Sequence, residues 1–230
     1  MKNLITYLLL FTTITLTTSC ENDDSITEES QQKLIRVSEV TTSGSTIIAD
    51  GYIDFEYNDN NLVSKEIASG GYTLDYAYNS NNQLIEVIYN NDNGNTYTID
   101  YTYNNNLIIN EVYNNGNTTT YQYNSDDQLI SLMTSQGETL FLNYDNQGNV
   151  SEKIFDSVVI DSYQYDNMIN PSIFMYPEAF NKIKYKGPNN VTFREDGNRT
   201  TTYEYNANDF PITSTHTLTG FVQNREYIYE

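Results

Sequence analysis

The sequence predicts an all-β protein: an antiparallel up-and-down meander of about 16–18 short strands, built from ~20-residue hairpin repeats and curled or closed into a barrel-like sheet. Three observations predict it. A Tyr-x-Tyr-Asn phrase, followed by a polar turn and Leu-Ile, recurs along most of the chain. Within each copy, aromatic and β-branched residues alternate with polar ones at period two. Between strands lie clusters of Asn, Asp, Gly and Ser, which tolerate positive φ and supply tight turns.

The fold does not begin at residue 1. Lys2 gives a small positive start, and Leu4–Leu16 is an apolar run of 13 residues, too short to span a bilayer as a helix. Residues 1–19 are therefore expected to be a signal peptide. The stretch Leu16-Thr17-Thr18-Ser19-Cys20 resembles a bacterial lipoprotein signal, departing from it at Thr17, where an aliphatic residue is usual. The resemblance implies that Cys20 is lipidated and becomes the new N-terminus. An ordinary secretory signal with an incidental cysteine is the alternative. With the only cysteine acylated, no thiol is left for a disulfide, a metal site or a nucleophile. The lipid would make the membrane itself a partner, each buried methylene contributing about 0.8 kcal/mol. Residues 20–32 hold Glu21-Asn22-Asp23-Asp24 and then a Ser/Thr/Glu/Gln-rich stretch, a composition expected to form a flexible acidic tether. An acidic run at this place resembles a surface-export tag. The expected location is the cell envelope, lipid-anchored to the bacterial outer membrane, on either its surface or its periplasmic face.

Loss of residues 1–19 removes only Lys2 and leaves 10 Lys/Arg against 31 Asp/Glu, a formal charge of −21. Such a surface repels phosphate backbones, so nucleic acid is not an expected partner. Residues 33–230 suffice for a single β-repeat domain with a sizeable core.

Clear copies of the phrase are Tyr76-Ala77-Tyr78-Asn79 with Leu84-Ile85, Tyr101-Thr102-Tyr103-Asn104 with Leu107-Ile108, and Tyr121-Gln122-Tyr123-Asn124 with Leu129-Ile130. Its final aromatic falls at Tyr57, Tyr78, Tyr103, Tyr123, Tyr144, Tyr165, Tyr185, Tyr205 and Tyr229, with spacings of 20 to 25 residues. In the first strand of a unit, Tyr72, Leu74, Tyr76 and Tyr78 share one face, and Thr73, Asp75 and Ala77 the other. The second strand, as in Leu84–Tyr89, is apolar but alternates less well. Leu34–Val37 reads as a second strand without a first, so the sheet begins ahead of the first full unit. No window has helical periodicity. With no helices to cover it, a long sheet with one Tyr-rich face must curl and enclose that face. The alternative, a membrane-spanning barrel with tyrosines toward lipid, calls for strands of about 9–11 residues, longer than many here.

One stretch interrupts the pattern. Met168–Asn181 contains Pro171 and Pro177, which cannot donate to a ladder, so a regular central strand is not expected there. Its apolar residues Ile173, Phe174, Met175 and Phe180 should be buried, as a plug or lid that completes the core.

The phrasing is similar to the YD repeats of the RHS family, most closely at Tyr144-Asp145-Asn146-Gln147-Gly148-Asn149. The arrangement of lipobox, acidic tether, hairpin repeats, Asn170-Pro171 break and closing Tyr203-Glu204-Tyr205-Asn206 with Phe210-Pro211 resembles an uncharacterised bacterial lipoprotein family with a porin-like β-fold. The resemblance implies a large antiparallel barrel-like sheet and no particular chemistry. Toxin encapsulation by large RHS shells does not carry over, because this chain has too few repeats and no autoproteolytic segment.

Candidate chemistry is sparse. His216, the only histidine, lies in Thr213–Thr217 and reads as an exposed strand residue rather than a catalytic base. Asp92-Asn93-Gly94 and Asp126-Asp127 offer oxygen ligands for calcium, but hairpin turns explain them better. No cofactor, metal site or catalytic residue is expected. Tyrosine rings could stack on a sugar, though alternation assigns most of the 22 to the inner face. The expected function is a non-enzymatic binding or scaffolding module with a glycan or an envelope protein as partner and ligand-contacting residues unknown. The alternative is an envelope enzyme acting on glycans through an unplaced carboxylate pair.

Overall fold

The computed structural model describes residues 32–230. The signal peptide 1–19, Cys20 and the tether as far as residue 31 lie outside the described residues. The chain forms β1 (Leu34–Ser43), β2 (Thr46–Tyr57), β3 (Val63–Ala68), β4 (Tyr72–Tyr78), β5 (Leu84–Asn91) and β6 (Thr96–Asn104). It continues through β7 (Leu107–Tyr113), β8 (Thr118–Tyr123), β9 (Leu129–Thr134), β10 (Thr139–Tyr144), β11 (Val150–Phe155) and β12 (Val158–Ile169). After a 3-10 turn (Pro171–Phe174) and a short helix α1 (Glu178–Ile183) come β13 (Asn189–Arg194), β14 (Arg199–Tyr205), β15 (Pro211–Leu218) and β16 (Phe221–Tyr229). Each strand pairs antiparallel with its sequence neighbours, and β1 pairs with β16, so the sheet is a closed barrel. Closure leaves no strand edge unpaired.

Six of the eight even-numbered strands end in the second aromatic of a phrase, β6 and β12 running past it, and a one-residue register shift marks that point in most units. Tyr78 pairs with Leu84, Tyr103 with Ile108, Tyr123 with Leu129 and Tyr144 with Val150, each next to a bulge. Bulges there frame a polar turn held by the Asn or Asp of the phrase. Asn79 Oδ1 accepts from the amides of Asn81 and Gln83, at 2.9 and 3.1 Å, and Asn82 takes φ 58°. Asn58, Asn124, Asp145 and Asn206 repeat this Asx turn. The tyrosine hydroxyl reaches the other way. Tyr78 donates to the Val63 carbonyl (2.6 Å), Tyr123 to Ile108 (2.6 Å), Tyr144 to Leu129 (2.8 Å) and Tyr165 to Val150 (2.7 Å). Tyr57 to Leu34 and Tyr229 to Pro211 carry the ring across the junction of the chain ends. The aliphatic residues that accept these bonds, among them Val63, Leu84, Ile108 and Leu129, have no solvent exposure or almost none. A buried belt of Tyr and Leu-type residues thereby runs round the barrel beside the Asx turns. Burial pushes these phenols up, Tyr103 and Tyr144 to about 12.

Alternation turns the carboxylates of β2, β4 and β6 outward. Asp54 pairs with Arg36, Asp75 with Lys65 at 3.2 Å, and Asp100 sits opposite Val112. These charges interrupt any outward apolar belt of the kind that meets lipid. A smaller apolar outer stripe runs across β9–β12 through Met133, Phe141 and Val159.

Two expectations need correction. Tyr185 is not part of a strand: it follows α1 with φ 57°, so eight of the nine spaced phrases are strands and its spacing is coincidental. The absence of helix is also not complete, because α1 spans six residues. Fewer than two turns cannot establish a 3.6-residue period in sequence. The Met168–Asn181 stretch does fill the barrel. Met175, Tyr176, Ala179, Phe180 and Ile183 are buried against the inner wall, whereas Ile173 and Phe174, expected to be buried with Met175 and Phe180, are only half-buried. The Phe180 ring meets Tyr101 edge-on at 5.7 Å and Tyr76 at 6.2 Å, so the plug leans on the β4–β7 side.

Candidate functional site

Because the plug leans to one side, the other side of the lumen stays unfilled. A cavity of about 840 Å³ lies between the plug and the wall formed by β12–β16 and β1–β4. It reaches the short-turn end of the barrel at Ser69 and Gly70. Its volume suits a small polar ligand or a short oligomer.

The wall gathers positive charge. Of the 11 Lys and Arg in the sequence, Lys186, Arg194, Arg199 and Arg225 line this cavity, and Lys153 and Lys184 occupy the same lumen. Three of these six are neutralised locally. Arg194 binds Asp161 and Asp196, both at 2.7 Å, Arg225 binds Glu39 at 2.9 Å, and Lys184 lies 3.9 Å from Glu111. Asp161 is desolvated, yet the Tyr163 hydroxyl, the Asp196 amide and Arg194 together hold its carboxyl below the ordinary range. Lys153, Lys186 and Arg199 have no ion-pair partner among the described residues. Lys153 lies over the Tyr185 ring at 4.2 Å, and Lys186 over Tyr176 at 4.0 Å. Desolvation pulls the Lys186 ammonium down to about 8 against the attraction of Glu66. Arg199 has a buried Nε with no acceptor.

His216 is not exposed, as its Ser/Thr-rich strand led us to expect; it is 7% exposed and faces the lumen. On β15 it stands opposite Thr201, whose hydroxyl lies 2.9 Å from Nδ1, and Ser214 Oγ lies 3.1 Å from Nε2. Burial, with Arg225 and Arg199 nearby, pulls its pKa down to about 4. A Ser–His contact invites comparison with a hydrolytic triad, but the third position here is Thr201, with no carboxylate to stabilise an imidazolium. Ser214 is 2% exposed and shared with the Tyr227 hydroxyl at 3.1 Å. The group is built as a neutral polar brace.

Two of the three acids that line the cavity are engaged, and Asp50 makes no ion pair among the described residues. Glu39 is held on both oxygens, by Gln223 at 2.7 Å and Arg225 at 2.9 Å, and Glu66 accepts from the hydroxyls of Tyr76 and Tyr176. Asp126 and Asp127 lie in the Asx turn of Asn124, and Asp92 beside Gly71. Among the described residues no three His, Cys, Asp or Glu side chains meet. Cys20 lies outside the described residues.

The lumen cations were legible in one respect only. Arg199 shares the parity of Tyr203 and Tyr205, and Arg225 that of Tyr227 and Tyr229, so alternation alone points both inward. Arg194 follows a bulge opposite β12, and Lys186 follows the helix, so neither inward placement can be counted from the repeat.

No family model matches the chain, and no curated protein matches it. Among solved structures, it is similar to a porin-like protein from Bacteroides uniformis, with 16% identity over 87% of this chain and 97% of that one, at a TM-score of 0.58. At that identity the likeness shows the fold, a porin-like β-barrel. It also matches the Photorhabdus luminescens Tc holotoxin pore (17% identity, 74% of this chain, 9% of that chain, TM-score 0.35). A TcdB2-TccC3 chain matches at 15% identity over 82% of this chain and 11% of that one, with a TM-score of 0.36.

Proposed function

We propose that this is a non-enzymatic binding module of the cell envelope, lipid-anchored through Cys20, whose barrel lumen is its ligand site. The observation that carries the reading is the lopsided filling of the lumen: one half is plugged and the other is a cavity walled by Arg, Lys, Tyr and His side chains. A barrel that needed only stability would fill both halves, since an unfilled interior forgoes contact energy. The charged outer wall and the N-terminal lipobox are consistent with a domain held at a membrane surface rather than within it. A glycan or the tail of an envelope protein would enter at the short-turn end. Catalysis on glycans is the weaker alternative, because Glu39 has both oxygens bonded and one oxygen of Glu66 takes two tyrosine hydroxyls, so the two do not form a free carboxylate pair.

The test is a screen of the full-length protein against envelope glycans, with assay of released product. Binding without turnover is expected. Ala49→Trp, on the cavity wall, should abolish that binding while leaving the melting temperature close to that of the parent; unchanged binding would remove the lumen from the reading. Separately, labelled fatty acid should enter the wild-type protein and not Cys20→Ser, and the variant should move to the soluble fraction. An unlabelled wild-type protein would end the lipid-anchor proposal.

A further inference from the structure

We propose that the lumen ligand is an acidic saccharide, its carboxylate or sulfate groups taken by Arg199 and Lys186. The inference rests on the lumen-binding reading and adds the ligand's chemical class.

Charge distribution is the first ground. The chain carries 31 Asp/Glu against 11 Lys/Arg, yet four of those 11 converge on one cavity. Two of the four, Arg194 and Arg225, have carboxylates of their own, which hold their guanidinium groups in the wall. Arg199 and Lys186 have none among the described residues. Among the described residues Arg199 has no carboxylate within ion-pair distance and Lys186 only the attraction of Glu66 from beyond it, so an incoming anion relieves the cost of desolvating these cations. The second ground is the orphaned Nε of Arg199, shielded from water and lacking an acceptor. Guanidinium presents its donors in a fork that matches the two oxygens of a carboxylate or sulfate.

The rest of the wall decides which anion. Tyr72, Tyr163, Tyr203 and Tyr227 line the cavity and present aromatic rings to a polyol, as sugar rings require, with the Tyr163 and Tyr203 hydroxyls already given to Asp161 and the Val191 carbonyl. An acidic peptide would gain affinity by adding a strand, but the closed barrel has no edge to receive it. Nucleic acid would have to pass Asp50 on the cavity wall, on a protein of formal charge −20. A short acidic sugar can shelter its charge inside.

Titration calorimetry of the full-length protein with trigalacturonate, its methyl ester and a sulfated chondroitin disaccharide tests this. At least one of the two acidic probes should bind, and which of them binds separates carboxylate from sulfate recognition. The ester should bind at least about tenfold more weakly than the acid. Arg199→Gln and Lys186→Met should each weaken binding about tenfold, with unchanged or raised melting temperatures because neither side chain has an ion-pair partner to lose. Raising salt from about 0.05 to about 0.5 M should weaken binding further. Equal affinity for acid and ester, or variants that bind like the parent, would overturn the acidic class and leave the lumen site standing. If none of the three probes binds, the proposal is overturned, and the lumen site is then judged by the Ala49→Trp screen alone.

Discussion

Tyr123 shows how one residue serves both packing and hydrogen bonding in this barrel. Its ring lies among the inner-wall residues, while its hydroxyl gives 2.6 Å to the Ile108 carbonyl of the preceding strand. Tyr123→Phe keeps the ring but leaves that carbonyl without its donor, and should cost about 1 kcal/mol in urea unfolding. Tyr97→Phe, at a position 53% exposed, should stay within about 0.5 kcal/mol. His216 supplies a pH test. Burial and the nearby arginines hold its pKa at about 4 against 6.5, so the unfolded chain binds more protons between those values. Its contribution is therefore present above about pH 6.5 and is lost as pH falls toward 4, by up to about 3 kcal/mol. Many carboxylates titrate in that range too, so the measurement is a comparison. His216→Gln should show a smaller drop in melting temperature between about pH 7 and 4.5 than the parent; equal drops would mean the imidazole is not held neutral by the fold.

At the scale of elements, the Asx turn is the repeating joint. Asn79 accepts two backbone amides, so Asn79→Ala strands both and should cost about 1–2 kcal/mol, while Asn81→Ala, which keeps the donating amide and removes only an exposed side chain, should be near neutral. Parallel chemical denaturation of the two variants decides it. The plug is the other element with a large energetic role. Phe180→Ala removes the edge contacts to Tyr101 and Tyr76 and should destabilise by about 3–5 kcal/mol. A loss well under that would mean the plug is loosely seated. The strands were readable because period two repeats eight times with the same turn chemistry. The plug was readable only as an interruption, since two prolines exclude a ladder but do not specify a helix of six residues. Tyr185 misled for a related reason: it keeps the spacing of the repeat by chance while the chain there is still leaving the helix.

At the scale of the whole molecule, closure couples the two ends of the chain. Lys33 and Glu230 exchange backbone hydrogen bonds at 3.3 and 3.0 Å, and β1 runs against β16 over most of its length. Deleting Phe221–Tyr229 would bare the edges of β1 and β15, and the truncated chain should aggregate and lose a single cooperative melt, as followed by light scattering and circular dichroism. A monomeric truncation with an unchanged melt would be incompatible with a closed barrel. The sequence by itself determined the all-β class, the hairpin period, the inward tyrosines and the place where the pattern fails. Those follow from local rules, namely side-chain alternation, turn residues and proline's missing amide. Tertiary structure alone decided that β1 meets β16, that the plug leans to one side, and that Lys186, Arg199 and Arg225 face one space with His216 between Thr201 and Ser214. Such neighbours stand up to tens of residues apart in the chain, and only the curvature of a closed sheet brings them together.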